Sequence, residues 1–306
     1  MQGEVNLFSI LSVIVVAATI GLLLSRRYEV TYVLILSNLL IFFLSILSAV
    51  GVTGGVFGWV QFELGFRPVY LETGENLYTI ITHMFVHASF LHVIFNMLFL
   101  FLIGTQLEKR IGKGRTIAIY FLGGLLALAT ESFMQWSPDS GFSTILLVGA
   151  SGAISALMGA MLLLYPQDEI PFFLGPIFMQ RVKVWLSVGT WFLLQVFFLI
   201  AGMEMGVAYG AHVGGFLGGV LVARLVVEVR TSVGDSPLEM EDLRMLARDP
   251  RAQRALAEAE RADEEDIRRA WLEEFVENAT CPVCGTRPES KGNKLKCRCG
   301  LEIRFR

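Results

Sequence analysis

The sequence predicts an all-α protein that crosses a membrane several times. Of its 306 residues, 54% are hydrophobic and only 17% are charged, which is too apolar for a soluble domain. The apolar residues fall in runs near the roughly 20 residues that a helix needs to span a bilayer. Because backbone polar groups in lipid must be satisfied internally, these runs are predicted to be helices rather than open strands. Seven runs occur, at about 6–24, 31–50, 86–104, 116–134, 144–165, 183–202 and 206–227.

The basic residues that flank these runs predict the orientation. They follow the first, third and seventh runs and precede the sixth: Arg26, Arg27, Lys109, Arg110, Lys113, Arg115, Arg181, Lys183, Arg224 and Arg230. The loops at 137–143 and 202–206 contain no Lys or Arg. The positive-inside rule therefore places the N-terminus outside and the long C-terminal tail in the cytoplasm.

A cleaved signal peptide is the alternative for residues 1–24. The positive charge of a signal peptide should precede the apolar run, whereas Arg26 and Arg27 follow it. Among the first seven residues the one charged side chain is that of Glu4, which is acidic. A retained first helix is favoured.

The composition changes after Arg230. Residues 237–277 are densely charged with both signs, and Ile267, Trp271 and Phe275 recur at helical spacing. This pattern indicates one or two amphipathic cytoplasmic helices, and a solvated helical linker is the favoured interpretation.

All four cysteines lie in the last segment. Cys281 and Cys284 form a C-x2-C pair, Cys297 and Cys299 form a C-x-C pair, and a glycine follows each pair. Two such knuckles suit four thiolates around a tetrahedral zinc ion, and the segment resembles a small zinc ribbon. The alternative is a set of reduced free thiols or a redox pair, since a cytoplasmic tail disfavours structural disulfides.

The four histidines lie in or at the edges of the apolar runs, where ionisable side chains are costly enough to suggest function. His83, His87 and His92 are clustered, and Asn96 lies four residues after His92 on the same helical face. The fourth histidine, His212, opens the last run. A metal site or a proton relay would also explain such a cluster.

Two stripes of small residues suggest how distant histidine and serine side chains meet. His212, Gly215 and Gly219 share one helical face, and a second stripe consists of Ser151, Ser155 and Gly159. If the stripes pack together, Ser151 comes within hydrogen-bond reach of His212. The ordinary alternative is a packing device, with the serine bonded to the carbonyl four residues earlier.

Four motifs in order and spacing resemble the intramembrane serine proteases of the rhomboid family. They cover about residues 31–227 and are His83-x3-His87-x4-His92-x3-Asn96, Gly104-x3-Glu108-x-Arg110, Gly149-Ala150-Ser151-Gly152 and Ala211-His212-x2-Gly215-x3-Gly219. The resemblance implies a six-helix rhomboid core, to which this chain adds one N-terminal transmembrane helix and a zinc-ribbon-like cytoplasmic domain. The corresponding domain boundaries are 1–30, 31–230, 231–278 and 279–306.

The resemblance also implies roles for single residues. Ser151 would be the nucleophile and His212 the general base of a dyad, with His92, Asn96 and the Ser151 backbone N–H forming the oxyanion hole. Glu108 and Arg110 would stabilise the fold, while His83 and His87 would hold an adjoining loop. Cleavage would need no cofactor, and the expected partners are transmembrane substrates and the bilayer, with a cytoplasmic partner or self-association through the tail. No nucleic acid is expected.

The chain departs from the family at two places. Many rhomboids have an aromatic residue four positions after the nucleophile, packed under the histidine, but this chain has Ser155. A Trp-Arg pair of the lateral loop is replaced by Tyr78-Thr79. An inactive rhomboid relative that binds membrane helices is the main alternative, although such relatives usually lose the serine or the histidine. A transporter is disfavoured because the spans offer few carboxylates beyond Glu131 and Glu204.

Overall fold

The computed structural model describes residues 6–49, 58–174, 177–203, 206–227, 243–244, 246–281, 284–291, 294–297, 299 and 302–304. The chain divides into two compact units, Met1–Val229 and Arg230–Arg306. Glu204, Arg230 and the start of the charged segment at Pro237 lie outside the described residues.

The first unit is helical. Its long helices are α1 (Leu7–Ser25), α2 (Val30–Ala49), α8 (Lys113–Met134), α9 (Ser151–Leu164), α10 (Val184–Ile200) and α11 (Tyr209–Val226). A further continuous helix combines α6 (Phe90–Phe99), a π-helical segment (Leu100–Gly104) and α7 (Thr105–Ile111). Between α2 and α6 lie α3 (Trp59–Leu64), α4 (Tyr70–Thr73), α5 (Thr79–Thr82) and a 3-10 turn (His83–Phe85).

Two antiparallel hairpins connect the long helices. One pairs β1 (Trp136–Ser137) with β2 (Gly141–Phe142), and the other pairs β3 (Glu169–Leu174) with β4 (Ile177–Lys183). The first joins α8 to α9, and the second joins α9 to α10.

Among the described residues, five helices are long and apolar enough to cross a membrane, namely Leu7–Ser25, Val30–Ala49, Phe90–Ile111, Lys113–Met134 and Tyr209–Val226. The other two predicted runs contain shorter apolar helices, α9 and α10. The run predicted at 144–165 becomes helical only at Ser151, because Leu147 pairs in an extended conformation with Phe66. His83 and His87 likewise precede the helix that begins at Phe90.

Helices α8, α9 and α11 form the centre of the first unit and approach each other through small residues. A Cβ atom on Gly219 would collide with the carbonyl oxygen of Ala156, and one on Gly215 would collide with that of Gly152. The predicted α11 stripe therefore faces α9. On α9, however, the facing residues include Gly152 and Ala156 rather than Ser151 and Ser155, because a glycine and an alanine permit the closer backbone approach.

Glu108 is buried and caps the N-terminus of α2. Its carboxylate accepts hydrogen bonds from the backbone N–H groups of Val30 (2.6 Å) and Thr31 (2.9 Å) and from the Thr31 hydroxyl (2.8 Å). A negative charge at a helix N-terminus is favourable, since the first N–H groups have no intrahelical acceptor. Arg110 instead pairs with Asp168 at 2.6 Å. The two residues thus stabilise the fold through separate contacts.

Helix α1 packs against α2 and α3. Its buried face includes Ser12, Val16, Thr19 and Leu23. The Thr19 hydroxyl lies 2.5 Å from the Ser37 hydroxyl of α2, a buried contact between the two helices. The additional helix is therefore an integral part of the first unit.

The predicted basic residues gather at one end of the helices. Lys113 donates to the Arg26 carbonyl at 3.3 Å, at the end of α1, and Arg115 donates to the Val226 carbonyl at 3.2 Å, at the end of α11. The pair formed by Arg110 and Asp168 joins the end of α7 to the segment after α9. This arrangement agrees with the expectation that these charges share one side.

The second unit contains α12 (Pro250–Arg261), α13 (Glu265–Asn278) and an antiparallel sheet of β5 (Glu289–Lys291), β6 (Lys294–Lys296) and β7 (Glu302–Arg304) in that order. Leu246, Leu256 and Phe275 form a small apolar core between the helices. Trp271 packs at its edge, whereas Ile267 is 48% exposed. The charged segment therefore has a core of its own, which its composition did not indicate.

Candidate active site

One cavity of about 1180 Å³ lies among α6, α8, α9, α10 and α11. The residues that line it include all four side chains that the sequence placed at a catalytic site: His92, Asn96, Ser151 and His212. They come from three separate helices, so only the tertiary fold brings them together.

Ser151 is the first residue of α9. The preceding Gly149 has a φ of +126°, a conformation that L side chains rarely adopt, and a Cβ atom there would lie 2.8 Å from the His92 ring. Only glycine fits this approach. The N–H of Ser151 belongs to the first turn of the helix, where backbone donors have no intrahelical acceptor and are available to a ligand.

His92 and Asn96 lie one turn apart on α6. The Ser89 hydroxyl accepts from the His92 backbone N–H at 3.2 Å and caps the helix. The Ala88 N–H donates to Nδ1 of His92 at 3.4 Å, which leaves the proton on Nε2, the ring atom beside Gly149. Asn96 donates one amide hydrogen to the His92 carbonyl at 2.8 Å and retains a second. Both side chains thus have a hydrogen-bond donor to offer in the cavity.

His212 lies in the first turn of α11. Glu131 of α8 accepts from the preceding backbone N–H, that of Ala211, at 2.8 Å. Nδ1 of His212 lies 2.8 Å from Oε1 of Gln195 in α10, and the Trp191 ring centroid lies 5.8 Å from that of His212. Sequence reasoning missed Gln195 and Trp191 and noted Glu131 only as a carboxylate near the end of a span. Gln195 could have been noticed in the sequence, because it is a single amide side chain within an apolar run, where a polar side chain suggests function.

The first turns of α9 and α11 are in contact. A Cβ atom on Gly152, the neighbour of Ser151, would lie 3.7 Å from the carbonyl oxygen of Ala211, the neighbour of His212. The close approach of Gly215 to the Gly152 carbonyl holds the same turns together. Ser155 takes no part in this contact, because its hydroxyl donates to the Ser151 carbonyl at 2.7 Å.

His83 contacts the loop beside the serine, and His87 lies beside His92. The His83 carbonyl accepts from the Gly149 N–H at 2.9 Å, and its ring Nδ1 lies 3.0 Å from the Thr79 carbonyl. His87 is fully buried, its ring centroid lies 5.0 Å from that of His92, and neither ring nitrogen has a hydrogen-bond partner among the described residues. The backbone of His83 is thus bonded to the loop before Ser151, and a loop-holding role for both histidines stays a prediction.

The segment between α2 and α5 is attached to the same loop. Phe66 and Leu147 exchange two backbone hydrogen bonds of 3.0 and 2.7 Å, and Val69 donates to the Ser143 carbonyl at 3.0 Å. Tyr78, at the position of the missing tryptophan, donates its hydroxyl to the Glu63 carbonyl at 2.9 Å. Trp59 and Phe62 are exposed, as an interfacial loop requires.

The four cysteines of the second unit converge. Their sulfur atoms all lie within 4.8 Å of one another, with 3.6 Å between Cys281 and Cys299 and 3.1 Å between Cys284 and Cys297. Zn–S bonds of about 2.3 Å in a tetrahedron place the sulfurs about 3.8 Å apart, so the set fits one metal ion. Hydrogen bonds from Thr286 and Cys297 lower the pKa of the Cys284 thiol to about 6, which favours the thiolate that a metal binds.

The first unit is thus a set of apolar helices packed around one cavity that a serine and a histidine line. A comparison with protein families matches the rhomboid domain over residues 74–229, about half of the chain. The chain therefore belongs to the rhomboid family and is an integral, multi-pass membrane protein.

Individual relatives agree with this assignment. Rhomboid protease GlpG of Klebsiella pneumoniae is 34% identical over 142 residues, which cover 46% of this chain and 46% of that protein. Rhomboid protease GlpG of Salmonella newport is 32% identical over 149 residues, again 46% of each. The chain matches about half the length of these curated relatives.

Proposed function

We propose that the protein is an intramembrane serine endopeptidase that cleaves transmembrane-helix substrates near the outer membrane boundary. The observation that carries the proposal is the convergence of Ser151, His212, His92 and Asn96 on one cavity. The names of the relatives, which are rhomboid proteases, support the same activity.

In the proposed mechanism, Ser151 Oγ attacks the scissile carbonyl carbon while Nε2 of His212 takes the hydroxyl proton. A serine hydroxyl is a weak nucleophile until such a base activates it. His212 then gives this proton to the nitrogen of the leaving amine as the peptide C–N bond breaks. Water attacks the resulting acyl-enzyme with the same base, and the acid product and free Ser151 are released.

The negative charge on the carbonyl oxygen of the tetrahedral intermediate requires donors that are already aimed. The Ser151 backbone N–H, Nε2–H of His92 and the free amide hydrogen of Asn96 supply them in the proposed oxyanion hole. Fixed donors in a cavity of low dielectric stabilise the transition state without reorganising. No cofactor takes part in the proposed catalysis.

The proposed orientation follows from the direction of α8. Lys113 and Arg115 lie at its first turn, beside the ends of α1 and α11, whereas Glu131 of the cavity lies in its last turn. A helix of 22 residues separates these ends by about 33 Å. With the basic end in the cytoplasm, the cavity lies near the outer face, the N-terminus is outside and the tail is inside.

The test is cleavage of a single-span substrate by the purified full chain in liposomes. Ser151→Ala and His212→Ala are expected to abolish cleavage with an unchanged melting temperature. Ser187→Ala, which removes another buried hydroxyl in α10, is the matched control and should stay active. Full activity of Ser151→Ala would contradict the mechanism, and substrate binding without cleavage by the unaltered protein would identify an inactive rhomboid-like helix-binding protein.

We also propose that Cys281, Cys284, Cys297 and Cys299 hold a structural zinc ion in a ribbon-like domain at 279–306. The sulfur cluster and the antiparallel strands β5, β6 and β7 support it. The remaining proposed divisions are an additional helix at 1–30, a core at 31–230 and a helical segment at 231–278.

A further inference from the structure

Helix α10 carries two side chains to the ring of His212. Trp191 and Gln195 are four residues apart, so they project from one face of the helix. Gln195 contacts Nδ1 of His212 at 2.8 Å, and the Trp191 ring lies against the imidazole with 5.8 Å between centroids and 37° between planes. Both contacts come from a helix that carries none of the four residues of the proposed mechanism.

We propose that Gln195 is a positioning residue that selects the tautomer of the catalytic base, and that Trp191 fixes the plane of its ring. The proposal rests on the proposed function of Ser151 and His212. It assigns to a neutral amide the task that a carboxylate performs in a serine–histidine–aspartate triad.

The chemistry of the amide oxygen dictates the tautomer. In the orientation that the structure gives the amide, Oε1 of Gln195 faces Nδ1 of His212 and can only accept, so in this arrangement Nδ1 carries the proton. A neutral imidazole has one N–H, and Nε2 therefore keeps its lone pair. This is the nitrogen that must take the Ser151 proton. In the other tautomer Nε2 already holds a proton and cannot act as the base.

The environment explains why an amide is placed there. Gln195 is only 9% exposed in a mostly apolar helix, where an unbonded polar group is costly. A carboxylate in the same place would add a buried charge, and its desolvation penalty is larger still. Glutamine gives His212 an acceptor without that charge.

Trp191 gives His212 the aromatic neighbour that Ser155 does not provide. The Ser155 hydroxyl is engaged with the Ser151 carbonyl and offers no aromatic surface to His212. On its α10 side the imidazole instead meets the Trp191 ring, and the Tyr209 ring lies perpendicular to it with 6.5 Å between centroids. Two neighbouring rings restrict the orientation of the imidazole while Nδ1 is bonded.

The decisive measurement is the tautomer of His212, read by NMR of protein labelled with ¹⁵N-histidine in detergent and assigned with His212→Ala. We expect the Nδ1–H form in the unaltered protein and in Ser151→Ala, and a population of the Nε2–H form in Gln195→Leu. This readout does not depend on cleavage, so a failed protease assay and a failed positioning role are distinguishable. An Nε2–H signal in the unaltered protein would overturn the proposal.

Kinetics give the second test. Gln195→Leu should lower kcat at least about 10-fold with little change in KM, because a base in the wrong tautomer slows chemistry more than binding. Gln195→Glu keeps an oxygen acceptor for Nδ1 of His212 and should retain more of kcat than Gln195→Leu, although the added charge should lower the melting temperature. The kcat of Trp191→Phe should likewise be higher than that of Trp191→Ala. Ser187→Ala, in the same helix, is the control variant. Equal kcat and equal tautomer populations in Gln195→Leu and the unaltered protein would refute the role.

Discussion

Glu131 Oε2 accepts a hydrogen bond from the backbone N–H of Ala211 at 2.8 Å, one residue before His212. Its other oxygen accepts from the Gln135 side chain at 2.6 Å. A carboxylate of α8 thus caps the helix that presents the histidine. The charge lies at the favourable end of the α11 dipole, and it fixes the first turn of α11 against α8.

Glu131→Leu should therefore destabilise the protein and misplace His212. The Ala211 N–H would lose its partner in a buried site, which costs about 1–3 kcal/mol. We expect a lower melting temperature in detergent and a lower kcat. Glu131→Gln keeps one oxygen acceptor, so its melting temperature and its kcat should fall less than those of Glu131→Leu. A melting temperature for Glu131→Leu equal to that of the unaltered protein would show that the cap contributes nothing.

Asn96→Ala should reduce kcat about 100- to 1000-fold, the usual effect of losing one oxyanion donor, or ~2.7–4 kcal/mol. KM should change little, because the donor acts mainly on the charge of the transition state. Gln106→Ala is the matched control, since Gln106 on the same continuous helix makes a comparable bond to the Leu102 carbonyl at 3.1 Å. Equal losses in both variants would assign Asn96 to the helix rather than to the reaction.

Gly219→Ala should destabilise the first unit, because the new Cβ would collide with the backbone carbonyl of Ala156. Overpacking of this kind costs about 1–3 kcal/mol or more. Gly189→Ala in α10 meets no atom within 4 Å among the described residues and should be neutral or stabilising by about 0.5–1 kcal/mol. The melting temperatures of the two variants in one detergent check the difference. Similar values would mean that α9 and α11 are not closely packed.

Elemental analysis of the full chain should give one zinc per molecule. Cys281→Ser should lose it, because a serine hydroxyl is a far poorer zinc ligand than a thiolate. Thr286→Val, which removes only the hydroxyl beside Cys284 and Cys297, should retain most of the metal. The same zinc content in Cys281→Ser and the unaltered protein would exclude this site.

The membrane class and the family could be predicted from the sequence, because apolar runs and spaced motifs are local properties. The start of α9 could not be predicted from the sequence, because a residue before Ser151 pairs with Phe66, which is distant in the chain. Of the small-residue stripe predicted on α9, Gly159 lies in the observed contact, whereas Gly152 and Ala156 take the places of Ser151 and Ser155. Helical spacing defines a face only broadly, and the choice between Ser155 and Ala156 depends on the partner helix.

The contacts of Gln195, Trp191 and Glu131 could not be predicted from the sequence for a related reason. Each acts on His212 or its neighbour from a different helix, at separations of 17, 21 and 80 residues. No periodicity within one run reports such a contact. The proposed catalytic pair could be predicted because its motifs resemble those of a known family and because small-residue stripes flank both residues.

The contact between Thr19 and Ser37 bears on what happens when the chain is truncated to remove α1. Helix α1 covers a face of α2 that carries a buried hydroxyl, and it also packs on α3. A chain trimmed of α1 would turn Ser37 of α2 towards acyl chains and remove one of the helices that pack on α3. Because polar surface against hydrocarbon is unfavourable, we expect the trimmed chain to be less stable than the full one.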